Sequence, residues 1–455
     1  MKIKRLLSLL MMLLALSMLF VGCDKSKDKA PEDAAEPAGD AAADSPSDLD
    51  ADQEIELSVQ VEEGWLPHYE NAANRIKERM PNANFKFLVV GSFDHLETID
   101  STDVMNKDVA DLFAYPLDRY VTLTDKDALA AIDAPQMAAD LGGWSDFNAG
   151  IGDALHTDAN YFGFPYNIET LIIFANEKNA ADNNIDLSKP LELATVEAPE
   201  TALLPIFDAW FGVALTNSAE IELLGKNEDG SLFSDFSLDW ADLSPEKQAF
   251  IEAIHRYWKL NFDANSSLFD ADAGWGYIED NFRSGGKGVL RLDGPWATGS
   301  IKELTNDGAD IGVYSIDHIT VNGSPLRHWQ GGWALGVNAR VEEDPAKLAL
   351  AQEMIKEIVN PEFAVDLFKA TGKILENVES SVYEASDLDP VEKEVIAAVI
   401  KSYGQSPNRP LFQEWNAVWD TYKHSILSWN SVKPATPEEA YKELQASFEA
   451  LLAQN

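Results

Sequence analysis

In "LFAYPLDRY", residues 112–120, an apolar run ends in Tyr115-Pro116, and the acid Asp118 and the base Arg119 follow side by side. A carboxylate only accepts hydrogen bonds, whereas a guanidinium only donates them, in a rigid fork. One reading of the pair is a loop ion pair, worth little at a surface. The other is a polar clamp placed beside an aromatic ring.

Other chemistry is sparse. No HExxH or GxSxG occurs, and the 7 histidines are scattered. "GGKG" at 285–288 lacks the GxxxxGK[ST] spacing of a phosphate loop and reads as the turn before the strand "GVLRL". The only cysteine is Cys23, so the body has no thiol nucleophile, disulfide or thiolate metal site. A carboxylate pair could still serve an enzyme, but nothing singles one out. No cofactor and no metal ion are expected.

Aromatic surface is abundant instead, with 12 tryptophans. Trp415 and Trp419, in "LFQEWNAVWDTYK", are spaced to share one helical face, extended by Phe412 and Tyr422. Such a stripe serves either core packing or a ligand. Trp296, in "LDGPW", follows a Gly-Pro break at the end of a strand, a position like that of Tyr115.

The elements that must position these residues alternate. "IELSVQV" (55–61) alternates apolar and polar as a half-buried strand does. Pro67 opens a helical pattern through Tyr69, Ala72, Ala73, Ile76 and Met80; "FKFLVV" (85–90), "ADLFAY" (110–115) and "TLIIFAN" (170–176) read as further strands. Strands alternating with helices indicate a parallel α/β architecture. The later part is more helical, with starts at Ser244-Pro245, at Asp344-Pro345 and at the capping box Thr436-Pro437-Glu438-Glu439.

The amino terminus reads as an export signal over 1–22. Lys2, Lys4 and Arg5 precede an apolar stretch, Leu6 to Val21, that is short for a membrane span. Its end, "LFVGC", resembles the lipobox of bacterial lipoproteins, with Phe20 where leucine is usual. Lipidation of Cys23 would anchor the chain without spanning the membrane. Residues 23–54 form a tether whose 11 acids, 3 lysines and lack of aromatic residues leave too little apolar surface to fold.

The body from Ile55 is longer than one core usually supports, so two lobes are expected. The formal charge is −42; removing the +3 of the signal and the −8 of the tether leaves −37 on the body. That argues against a nucleic-acid partner. It permits a cationic ligand, or reflects solubility or adaptation to high salt.

Four stretches together resemble the extracellular solute-binding proteins of ABC sugar importers, in particular the maltose/maltodextrin-binding proteins. They are "ADLFAYPLDRY", "FGFPYNIETLIIFANEK" (162–178), "GKGVLRLDGPWATGSI" (286–301) and "LFQEWNAVWDTYKHSI" (411–426). The resemblance implies a two-lobe, type II periplasmic-binding-protein-like α/β fold, each lobe a mostly parallel sheet flanked by helices. It places one lobe at 55–166 with 334–382 and the other at 167–333 with 383–455. It puts sugar contacts on Tyr115, Asp118, Arg119, Glu169, Trp296 and Trp415. Two positions depart from the pattern: Asn416 replaces an aromatic residue, and Trp419 replaces an arginine, which would extend the aromatic platform. The implied protein is a monomer that binds a maltodextrin or other neutral oligosaccharide, closes about a hinge and hands its cargo to permease subunits. Asp118 and Arg119 would neutralise each other and bind neighbouring hydroxyls while rings cover the apolar sugar faces.

Three rival readings stand beside it. A binder of a cationic solute such as a polyamine suits the acidity, but not Arg119. A surface glycoside-cleaving enzyme would need two carboxylates across a scissile bond, for which Asp118 and Glu169 could be proposed. An adhesion lipoprotein would have no use for closure on a small ligand.

Overall fold

The computed structural model describes residues 53–157 and 159–454. The signal, Cys23 and nearly all of the tether lie outside the described residues. The first strand, β1 (Ile55–Val61), buries Leu57, Val59 and Val61 and exposes Glu56 as its alternation predicts, but Gln60 on the expected polar face is buried as well. Helix α1 (Leu66–Arg79) starts with Pro67 in its first turn and buries Tyr69, Ala72, Ala73 and Ile76. Strand β2 (Ala83–Val89), helix α2 (Ser92–Ser101) and strand β3 (Leu112–Pro116) follow.

Strands β4 (Phe164–Glu169) and β5 (Ile172–Asn176) are separated only by Thr170-Leu171, yet they belong to different sheets. After β5 come β6 (Ala202–Leu203), α3 (Ala209–Thr216), α4 (Pro245–Asp263), β7 (Leu290–Asp293), β8 (Ile311–Tyr314) and β9 (Gly331–Val337). The first sheet has the order β2-β1-β3-β9-β4, and the second β8-β5-β7-β6. In each sheet one strand runs against the others, β9 in the first and β5 in the second. Each is the strand by which the chain arrives from the other sheet. The chain crosses at Thr170-Leu171, again through Leu326–Gln330, and a third time beyond Ile374, whose carbonyl accepts from Ile168 N–H at 3.0 Å.

Among the later helices are α5 (Pro345–Ile358), α6 (Ala364–Thr371), α7 (Pro390–Gly404), α8 (Asn416–Val432) and α9 (Pro437–Leu452). α5 packs on α1 and β1, α7 on β8 and β5, and α8 on α3 and α9. The predicted starts hold. Ser244 caps Lys247 N–H, Asp344 caps Lys347 N–H and Thr436 caps Glu439 N–H. Glu439 returns its carboxylate to Ala435 N–H, one residue before the cap, so the box is only half closed.

This topology gathers chain ends. The carboxyl ends of β1, β3 and β4 lead to Glu62, Asp118 and Glu169, and β7 leads to Trp296. Because β9 runs backwards, its first residues, up to Trp333, lie at that same edge. Strand carboxyl ends bordering a crevice are where open α/β sheets place ligands.

Candidate binding cleft

A cavity of about 870 Å³ opens at this edge, within the range of ligand sites. Six aromatic rings line it: Trp65, Phe93, Trp210, Trp296, Trp333 and Trp419. So do three acids, Glu62, Asp118 and Glu169, and three bases, Arg119, Lys373 and Arg409. In a chain of charge −42 the lining is balanced.

The rings form two arrays. On the first-sheet side, Phe93 meets Trp333 edge-on at 5.5 Å, and Trp65 meets Tyr166 edge-on at 5.9 Å. The Lys373 ammonium lies 4.5–4.9 Å from the ring centres of Trp333, Trp65 and Tyr166, a cage whose ring faces attract a cation. On the other side, Trp210 lies 6.4 Å from Trp296 and 6.5 Å from Trp419. Phe93 and Trp296 are 58% and 47% exposed, so both offer ring surface to the cavity. Trp296 lies over Gly294, where an added Cβ would come within 2.2 Å of the indole carbons. The glycine of "LDGPW" is therefore what seats the ring.

The polar groups pair differently from expectation. Arg119 turns away from Asp118 and donates to Asp100 at 2.9 Å. Asp118 takes its partner from the other side of the cavity, Arg409, at 2.7 Å. The Arg409 side chain is only 5% exposed, with its guanidinium 5.1–5.7 Å from the ring centres of Trp210, Trp329 and Trp419. Adjacent residues in a turn project apart, and Asp118 satisfies the more deeply buried cation. Its second oxygen, Oδ1, is buried and accepts no hydrogen bond from the described residues. Such an orphan acceptor costs free energy until a donor arrives.

Glu169 accepts from Trp333 Nε1–H at 3.3 Å. Burial raises its carboxyl above the ordinary value, a shift that Lys373, Arg409 and the Trp333 bond oppose. Burial brings the Lys373 ammonium down to about 8, against the pull of Glu169 and Glu62.

Of the expected contacts, Asp118, Arg119, Glu169, Trp296 and Trp419 are brought together around the cavity. Tyr115 is not. Strand alternation turns it into the core, fully buried, where its hydroxyl donates to the Phe162 carbonyl at 3.2 Å; Pro116 takes the lining position. Trp415 is also absent from the lining. It ends a 3-10 turn, Gln413–Trp415, that runs into α8 with helical backbone angles, so it does neighbour Trp419 as expected. Only 4% exposed, it packs edge-on behind Trp419 at 4.7 Å and against Trp329 at 4.9 Å. Glu62 and Trp65, Phe93, Trp210, Trp333, Lys373 and Arg409 were not anticipated. Glu62 and Trp65 carried the same sign as Asp118, charge and ring just past a strand. Lys373 and Arg409 carried none.

No family model matches the chain. A maltooligosaccharide ABC transporter solute-binding lipoprotein of Streptococcus pneumoniae (strain ATCC BAA-255 / R6) is 24% identical over 388 residues, 82% of this chain and 83% of that protein. The maltose-binding periplasmic protein MalE of Listeria monocytogenes, solved with maltose, superposes with a TM-score of 0.66 at 18% identity, covering 88% of this chain and 99% of that one. MalX of Streptococcus pneumoniae, solved with maltopentaose, gives 0.64 at 19% identity, covering 87% and 99%. The fold is thus the two-lobe, type II α/β fold of these binding proteins.

Proposed function

We propose that this protein is a solute-binding protein, lipid-anchored at Cys23 outside the cytoplasmic membrane. It captures a neutral oligosaccharide of the maltose/maltodextrin type and delivers it to the permease subunits of an ABC importer. The observation that carries this reading is the cavity itself: six rings beside equal numbers of acids and bases. A sugar ring has apolar C–H faces for the indoles and a rim of hydroxyls that both donate and accept. Asp118 Oδ1 offers an acceptor without a donor, and Arg119, Lys373 and Arg409 offer N–H groups. The named relatives fit this ligand class.

The lobes we propose are 55–166 with 334–382, and 167–333 with 383–455. The chain changes sheets at Thr170-Leu171 and through Leu326–Gln330, close to the first two of these boundaries, which supports the division. Ligand touching both lobes favours the closed form, because only that form makes all the contacts. The protein acts as a monomer, and its affinity is about micromolar, roughly −8 kcal/mol, because the cargo must be released. A polyamine has less in its favour, since three bases line the cavity.

Calorimetric titration with maltotriose, xylo-oligosaccharides and spermidine tests this reading. Saturable heat with maltotriose is expected, and binding of spermidine alone would overturn it.

A further inference from the structure

Three ring faces in the cleft enclose one ammonium. Trp65 comes from the turn between β1 and α1, Tyr166 from β4 and Trp333 from β9. Their ring centres lie 4.7, 4.9 and 4.5 Å from Lys373 Nζ. All three rings are buried. Trp65 meets Tyr166 edge-on, and the Tyr69 hydroxyl donates to that of Tyr166 at 3.0 Å, so the walls brace one another.

Two carboxylates stand beside this cage. Glu169 accepts from Trp333 Nε1–H, and Glu62 accepts from Ser92 N–H at 3.2 Å. Both attract the ammonium through space, yet among the described residues neither forms an ion pair with it. Asp118, the third acid of the lining, is already neutralised by Arg409. Ring faces flanked by carboxylates are the chemistry that recognises an ammonium ligand, above all a quaternary one.

In this chain the occupant is its own side chain. Gly372 leaves α6 at φ +70, in the left-handed region that suits glycine, and Lys373 follows it. The next residue, Ile374, is tied to β4 through Ile168. The lysine is therefore delivered to the cage from a fixed backbone, and is itself only 8% exposed. A primary ammonium is a poor occupant in one respect: ring faces do not satisfy its N–H groups as oxygen would, and burial brings it down to about 8. A quaternary ammonium has no N–H to strand.

We infer that the cleft contains a quaternary-ammonium site, formed by Trp65, Tyr166 and Trp333 with Glu62 and Glu169, and that Lys373 is the specificity-determining residue that fills it and keeps cationic solutes out. The inference rests on the neutral-oligosaccharide reading and deepens it. Without Lys373 the carboxylates of the lining would draw cations into the cleft; with it, the exposed indoles are left to an uncharged ligand.

The test is calorimetric titration of the wild type, Lys373→Ala and Lys373→Ser with tetramethylammonium chloride, against sodium chloride at equal ionic strength. Both variants empty the cage and keep its walls and carboxylates. They should bind tetramethylammonium saturably, with a Kd of about 1 mM, and the wild type roughly tenfold more weakly or not at all. Tetramethylammonium should also raise the melting temperatures of the variants and not that of the wild type. Adding Trp333→Leu to Lys373→Ala should remove the binding. If neither variant folds alone, folding on addition of tetramethylammonium but not of sodium is expected, and its absence overturns the inference. So do folded variants that bind no tetramethylammonium, a wild type that binds it as tightly as they do, and binding that survives Trp333→Leu. A wild type that fails to bind maltotriose in a parallel titration overturns instead the oligosaccharide reading, and with it the guarding role of Lys373, though not the site.

Discussion

Asp118 is held by Arg409, at 2.7 Å across the cavity, and not by the neighbouring Arg119. The two residues come from opposite sides of the cavity, so the ion pair bridges it. The pair is shielded, with side chains 22% and 5% exposed, whereas the Arg119–Asp100 pair is about a third exposed on both sides.

Removing one member of a buried pair strands the other charge, at a cost of about 3–5 kcal/mol. Asp118→Ala should therefore lower stability as well as sugar affinity. A double-mutant cycle with Arg409→Ala in urea unfolding should give a coupling of about 0.5–3 kcal/mol. Arg119→Ala should cost no more than about 1 kcal/mol. Additive effects of Asp118→Ala and Arg409→Ala would show that the pair is not coupled.

Gly294→Ala probes the seat of Trp296. The backbone there has φ −108, which alanine tolerates, so only the indole must move, away from a Cβ 2.2 Å from its ring. Melting should change little, while maltotriose affinity falls by roughly two- to twelvefold, the worth of one aromatic contact. Unchanged affinity would mean that the ring's position does not matter to the ligand.

Trp415 and Trp419 divide structure from binding. Trp415 is core, so Trp415→Ala should destabilise the fold by about 3–5 kcal/mol. Trp419→Ala should leave the melting temperature nearly unchanged and weaken sugar binding. Thermal unfolding and titration of the two variants check this, and the reverse pattern would contradict the placement.

These placements also show what a sequence can convey. Asp118 and Trp296 were legible because charge or ring follows closely on a strand, whereas Glu169, the last residue of its strand, was expected only from the family resemblance. Tyr115 and Trp415 misled for local reasons. One belongs to a strand buried on both faces, and the other packs behind Trp419 at the start of its helix. Lys373 and Arg409 were invisible because their meaning depends on distant partners. Lys373 needs Trp65, Tyr166 and Trp333 around it, and Arg409 needs Asp118 across the cleft. The alternation of strands and helices was local and could be read, whereas the pairing of charges is long-range.

Lys373 gives a pH signature. Its folded value of about 8 lies below its ordinary 10.5. Between those values the unfolded chain holds a proton that the folded chain has lost, so this group makes stability rise with pH. The melting temperature of the wild type, relative to Lys373→Met, should therefore increase from pH 7.5 to pH 10. A relative decrease would mean that the cage stabilises the ammonium more than burial penalises it.

The central claim is that this cavity holds a neutral oligosaccharide between its two arrays of rings. Diffraction from crystals grown with maltotriose tests it most directly. The account predicts sugar rings against Trp296 and Trp419, with a hydroxyl donating to the free Oδ1 of Asp118. Sugar density elsewhere on the molecule, or an empty cavity at saturating maltotriose, would contradict it.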